Sequence, residues 1–353
     1  MRHLISVAAL ALFPVLATAA DSLDWTYPVA PRLEPLDTLV LKQVPGSERA
    51  YVIEGTSIKA YSAAKLEATG SPEADNTLKT PAGPKGMAFD PWGNLWFSSA
   101  EGVFMYAMED LAKADAEYRV KLTGAGVMGG GIPGAGPLAF DDDSCLWIGQ
   151  IASDKIVKLT RNQLAVTGQP VPAISLSGTS LNGVLAIAFD AEGNLWSTNA
   201  DDQVVMFAKA RLAASTTAAA DVAIVHMSGP PVIGTYSAPQ NLAFDAQGNL
   251  WIGFFAGNDL VKLPKSLQTA STTIQPPEVS LKGGVTMLLE GLAFDASGGA
   301  WMPGAVGKLV RVGTDGLTVS GTMVASTVLT PPGFGYADEI AFNPSPDALP
   351  LRD

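Results

Sequence analysis

The chain has 353 residues, 47% hydrophobic and only 16% charged, enough apolar surface to offset chain entropy and exclude a disordered polymer. Its 36 Gly and 25 Pro argue against a helical bundle, and 34 acidic against 22 basic residues leave no basic face for nucleic acid. A single cysteine, Cys145, excludes an internal disulfide, and with only His3 and His226 a Cys/His zinc site is out of reach.

Residues 1–20 read as a secretory leader, with Arg2 as the charged start, an apolar core at 4–16 and small residues at 17–20. Cleavage is expected near Ala19 or Ala20, leaving a secreted or periplasmic protein. The apolar run is broken by Pro14, and no stretch reaches the roughly 18 apolar residues that a membrane span needs. Residues 21–35 form an N-terminal extension, 36–345 the folded domain, and 346–353 a short tail.

Two strands follow the extension, AYVIE at 50–54 and SIKAY at 57–61. Then a repeat begins: GMAFD at 86–90, PLAFD at 137–141, AIAFD at 186–190, NLAFD at 241–245 and GLAFD at 291–295. Each of these phenylalanines is followed seven residues later by a tryptophan: Trp96, Trp147, Trp196, Trp251 and Trp301. A sixth copy, EIAFN at 339–343, has nothing comparable after it. The period of 48 to 55 residues fits one propeller blade, and the Asp-x-x-Gly-Asn segment fits the turn between its first two strands. A third strand (155–159, 203–207) and a less regular fourth (173–176, 222–225) complete the unit. The strand at 50–54, with Tyr51 in the tryptophan position, supplies what the C-terminal copy lacks. The expectation is an all-β, six-bladed β-propeller of four-stranded antiparallel blades, closed by N- and C-terminal strands sharing one blade. Residues 38–44 compete with 339–343 for the inner place in that blade.

Several motifs read as structure. Asp90, Asp141, Asp190, Asp245 and Asp295 recur at one turn position and are expected to pin turns, and the tryptophans to pack blade on blade. GAGVMG at 124–129 has dinucleotide-loop spacing without a βαβ unit and reads as a flexible loop at the channel mouth. Asp141, Asp142 and Asp143 lack the alternating ligands of a calcium loop and read as a solvated hairpin tip. His226 falls in an outer strand, and Cys145 fills a turn.

The candidate site lies where the inner strands begin, around the channel mouth. The residues three and four before each repeat phenylalanine differ from blade to blade, as a site should. Lys85, Gln240, Asn241, Glu290, Asp338 and Glu339 are polar or charged, and such a lining must pair its charges, hold water or bind a ligand. Tyr236, Phe334 and Tyr336 lie in loops entering the inner strands, and the loops at 199–202 and 254–258 are expected on the same face. Tyr236 and Tyr336 join the candidate ligand-binding set, as aromatics suited to a small organic ligand or a glycan.

The Gly-Asn-Leu-Trp turns resemble those of the NHL-repeat and gluconolactonase-like propellers, a group that includes senescence-marker and, more distantly, virginiamycin B lyase families. The resemblance covers nearly all of 36–345. It implies one divalent cation (Ca, Mg, Mn or Zn), held by an acidic residue or Asn preceding a Gly at inner-strand starts, which polarises a lactone carbonyl or activates water. Glu290-Gly291 is similar to that pattern, with Asp338 and Gln240 in equivalent positions. The chain departs from it in having no Asn-Gly in register and in placing Lys85 where the cation would sit; a Lys85–Glu290/Asp338 ion pair needs no metal. The lyase family's histidine-bearing site has no counterpart. Two functions stay open: an exported propeller binding a small molecule, glycan or protein partner at the channel mouth, with no required cofactor, or a metal-dependent hydrolase of lactones or other esters.

Overall fold

The computed structural model describes residues 48–344 apart from 82, 131–134, 230–231, 236–238, 256–258, 276, 284–288 and 305–306. The leader, the extension, the C-terminal tail and Tyr236 lie outside them. Among the described residues no helix is long and apolar enough to cross a membrane.

Six antiparallel meanders form the blades. Blade 1 joins the two ends of the chain: Ala337–Asn343 is innermost, then Arg49–Glu54, Ser57–Ser62 and Asn76–Lys79. Tyr51 pairs with Ala341 and Ala50 with Phe342. The C-terminal strand therefore takes the inner place, and the competing residues 38–44 lie outside the described residues. Blade 2 runs Met87–Phe89, Leu95–Ser99, Gly102–Tyr106, Val120–Leu122. Blade 3 runs Ala135–Phe140, Leu146–Gln150, Lys155–Leu159, Ile174–Leu176. Blade 4 runs Val184–Phe189, Leu195–Asn199, Val204–Phe207, Val222–Gly229, with Val232–Thr235 paired outside it. Blade 5 runs Pro239–Phe244, Leu250–Phe254, Asp259–Leu263, Val279–Lys282, and blade 6 Ala293–Phe294, Ala300–Gly304, Lys308–Val312, Thr327–Leu329.

The core lies between blades. Trp96 meets Phe140 of the next blade edge-on at 6.1 Å, and the pairs Trp147–Phe189, Trp196–Phe244, Trp251–Phe294 and Trp301–Phe342 repeat that contact at 6.0 to 6.5 Å. Tyr51 against Phe89 at 5.1 Å completes the ring, which explains why blade 1 needs an aromatic residue there. Each recurring aspartate does more than hold a turn. Asp190 Oδ1 accepts from the Glu192 and Asn194 amides, while Oδ2 accepts from Asn194 Nδ2 and from Trp196 Nε1 at 2.9 Å. One carboxylate thus fixes the turn and satisfies the buried indole N–H.

A second set of links runs round the outside. In five of the six boundaries, the loop before a blade's outer strand forms a parallel bridge to the previous blade's outer strand: Leu122 with Gly168, Leu176 with Thr216, Ile224 with Thr272, Leu281 with Gly321, and Leu329 with Gly70. Between blades 1 and 2 no such bridge forms among the described residues. Side chains join that seam instead, with Asn76 Nδ2 donating to the Leu111 and Lys113 carbonyls and the Tyr106 hydroxyl to the Lys79 carbonyl.

Candidate functional site

The inner strands all start at one end of the ring, so residues at equal register are delivered to one place. Lys85, Gly136, Pro137, Leu185, Gln240, Glu290, Asp338 and Glu339 line a single cavity of about 60 Å³, with Ile151 beside them. Every blade contributes at least one of them. Glycine at the following position lets neighbouring blades close in. A Cβ on Gly86 would lie 2.4 Å from the Gly136 carbonyl oxygen, and one on Gly291 only 3.0 Å from the Glu339 Cα.

The lining divides into two arcs. Blades 5, 6, 1 and 2 give a continuous polar chain. Gln240 Nε2 donates to Glu290 Oε2 at 3.4 Å, the Tyr336 hydroxyl donates to Glu290 Oε1, and Lys85 Nζ donates to Asp338 Oδ1 at 2.6 Å. The Lys85 ammonium also stands 5.8 Å from the centre of the Tyr336 ring. Glu339 Oε1 accepts from the Ile340 amide at 3.1 Å. Blades 3 and 4 supply only Gly136, Pro137, Ile151 and Leu185, the last two half-buried and apolar.

Carboxyls gathered this closely resist ionisation. Burial pushes the Glu339 carboxyl up to about 8, helped by the charges of Asp338 and Glu290, so it carries its proton at neutral pH. Burial also raises Glu290 and Asp338, partly offset by the Tyr336 hydrogen bond on the first and by Lys85 on the second. Tyr336 is raised by burial and then by the Glu290 carboxylate beside it.

The structure thus brings Lys85, Gln240, Glu290, Asp338 and Glu339 to one cavity and joins Tyr336 to it through Glu290. It does not bring Asn241, which is buried against Gly253 of its own blade, with Nδ2 donating to the Leu289 carbonyl at 3.4 Å. Phe334 is buried in the core between blades 6 and 1 rather than facing the mouth. In the segment 124–129, Ala125–Met128 forms one helical turn pinned by Gln150 Nε2, which donates to the Gly126 carbonyl at 2.7 Å.

Three contributors carried no sequence signal. Ile151 follows a second strand and looked like any apolar residue. Glu54 and Lys59, paired at 2.5 Å, hold the loop that carries Tyr336. Glu54 Oε1 accepts from the Gly335 amide at 2.7 Å, and the Gly55 amide donates to the Tyr336 carbonyl at 3.2 Å.

Glu290, Asp338 and Gln240 fit a divalent cation poorly as they stand, because Lys85 takes Asp338 while Tyr336 and Gln240 take the two Glu290 oxygens. Among the described residues, the acidic triplet whose oxygens converge is Asp141, Asp142 and Asp143, at the other end of blade 3's inner strand. There Lys158 pairs with Asp141 at 2.8 Å and Lys209 with Asp142.

No protein-family model matches the chain, and no curated protein matches it. Solved structures with a similar fold include a streptogramin B lyase at 14% identity and TM-score 0.43, the match covering 66% of each chain. Selenomethionine-substituted virginiamycin B lyase from Staphylococcus aureus gives 13% and 0.42, covering 66% of this chain and 67% of that one. A catalytically inactive variant of the S. aureus enzyme with quinupristin gives 13% and 0.42, covering 71% and 72%. The chain spans just under two thirds of the length of the first of these. None of these values carries an activity over to this chain.

Proposed function

We propose that this protein is an exported binding propeller, periplasmic or secreted, which captures the polar end of a small molecule at the mouth of its central channel. The observation that supports this is the contrast between five complete repeats built on one turn chemistry and the different residue that each of the six blades sends to one cavity. A scaffold needs no such variety, and a site does. At about 60 Å³ the cavity is far below the roughly 300–1,000 Å³ of pockets that engulf drug-sized ligands, so one functional group enters while the rest of the molecule stays at the rim. A glycan or protein partner would be gripped in the same way, by one inserted group.

The test is a binding screen of the purified full chain against neutral sugars, organic cations and organic anions, followed by NMR titration of any hit. Asp338→Asn and Gln240→Ala should each weaken the hit by about tenfold or more, the equivalent of one charge-assisted hydrogen bond, with folding unchanged. A hit indifferent to both variants would place binding elsewhere. Chelator-sensitive hydrolysis of a lactone, together with a stoichiometric divalent metal in the purified protein, would replace the binding reading with the hydrolase one.

A further inference from the structure

We propose that the group taken into the channel mouth is a primary ammonium carried on a short apolar chain. This rests on the binding reading above and names the ligand's chemical class. Three properties of the cavity carry it.

The first is the donor–acceptor balance. Glu290, Asp338 and Glu339 bring three carboxyl groups to the cavity. Glu339 holds its proton at neutral pH, while ionised Glu290 and Asp338 only accept hydrogen bonds, and each oxygen that already accepts one keeps a second lone pair for a further N–H. Lys85 is the one cation in the lining, and its ion pair is with Asp338. A group with several donors and a positive charge satisfies this set, whereas an anion would meet two carboxylates that a single lysine does not balance. An alkylammonium offers three N–H donors, the same head as a lysine side chain.

The second is that the chain already shows such a group in place. The Lys85 ammonium sits on Asp338 at 2.6 Å and over the Tyr336 ring at 5.8 Å, and its side chain is 39% exposed, so it rests at the rim rather than filling the cavity. It pairs with one carboxylate from outside and, among the described residues, makes no ion pair with Glu290 or Glu339, although its charge reaches Glu290. An incoming ammonium competes with it for Asp338.

The third is the apolar arc. Pro137, Ile151 and Leu185 face the polar chain from blades 3 and 4. A ligand whose charge is held by blades 5, 6, 1 and 2 must lay its other end there, and that surface takes hydrocarbon and offers no hydrogen bond. Both arcs are used by an amine with a few methylenes.

The experiment titrates the full chain with n-butylammonium by NMR and calorimetry, against methylammonium, tetramethylammonium, 1-butanol and butyrate. Butylammonium should bind more tightly than methylammonium, which lacks the tail, and than tetramethylammonium and butanol, which lack the donors or the charge. Butyrate should not bind at the rim. Two variants give opposite signs. Glu290→Gln should weaken butylammonium by about tenfold, the loss of one charged acceptor, while Lys85→Met should tighten it several-fold by removing the competitor. Between pH 6.5 and 8.5 affinity should rise, because Glu339 ionises in that window and the amine does not yet lose its proton. Rim binding of butyrate or butanol as tight as that of butylammonium, or weaker binding in Lys85→Met, overturns the ammonium assignment and leaves the channel-mouth reading standing. No rim response to butylammonium overturns the assignment too, and only if the wider screen also yields no rim ligand does the binding reading fall with it.

Discussion

At one end of each complete repeat's inner strand an aspartate accepts from an indole N–H, five times over, at 2.8 to 3.0 Å. At the other end, only a few residues earlier, the blades present Lys, Gly, Leu, Gln, Glu and Asp in turn. The first end is overdetermined. Each carboxylate closes a turn and saturates a buried tryptophan, so a substitution strands several partners at once. The second end is held by pairs between different blades, such as Lys85–Asp338 and Gln240–Glu290, which satisfy one another without supporting the sheet. Stability and the proposed recognition are thereby separated along a strand of a few residues.

Substitutions at the two ends can break that contrast. Trp196→Ala should cost about 3–5 kcal/mol in urea unfolding, as usual for a buried aromatic. Asp190→Ala should cost about 1–3 kcal/mol for the stranded Trp196 N–H alone, with the lost turn bonds added, more than a single turn bond would suggest. Asp338→Asn should stay within about 1 kcal/mol, because its partner is a half-exposed lysine. If Asp338→Asn proved as damaging as Asp190→Ala, the separation would fail.

Acid–base behaviour sharpens the same contrast. The Glu339 carboxyl lies at about 8 when folded and near the ordinary 4.5 when unfolded, so the folded state keeps a proton that the unfolded state releases. Stability should therefore fall as pH rises from about 4.5 to about 8, by no more than about 1.4 kcal/mol per unit for one proton. Glu339→Gln should flatten that slope in denaturation curves across the window. Asp295 behaves oppositely. Burial would raise it, but Arg311 at 2.6 Å and the hydrogen bonds from Ser297, Gly299 and Trp301 hold it below the usual range. Its contribution is present at neutral pH and lost only as pH falls below about 4 through the lowered value. A wild-type profile flat from 4.5 to 8 would refute the Glu339 reading.

The fold was legible because the Phe-to-Trp interval and the Asp-x-x-Gly turn are local features repeated in one order. Counting back from each phenylalanine then located Lys85, Gln240, Glu290 and Asp338, since register alone decides which end of the strand a residue occupies. Which of them pair was not legible. Lys85 meets Asp338 because blades 1 and 2 are neighbours across the closing point, where residues 253 apart in sequence become adjacent. Asn241, one residue further along than Gln240, turns into its own blade, because Gly253 opposite it leaves room there. The outer strand of blade 4, expected at 222–225, continues to Gly229, since its backbone finds a parallel partner in Thr272–Gln275 as far as Met227 and an antiparallel one in Val232–Thr235 beyond it.

The shared blade sets an order of events during synthesis. Among the described residues Arg49–Glu54 is the first strand made, and its inner neighbour, Ala337–Asn343, is the last. At about 5–20 residues per second the growing chain waits on the order of tens of seconds with that strand edge open, a template for pairing with any other extended chain. No blade added in between can shield it, because each one lengthens the arc without bringing its ends together. The strand that completes the circle is also the one that carries Asp338 and Glu339, so the channel mouth cannot acquire its charge pattern until the ring has closed.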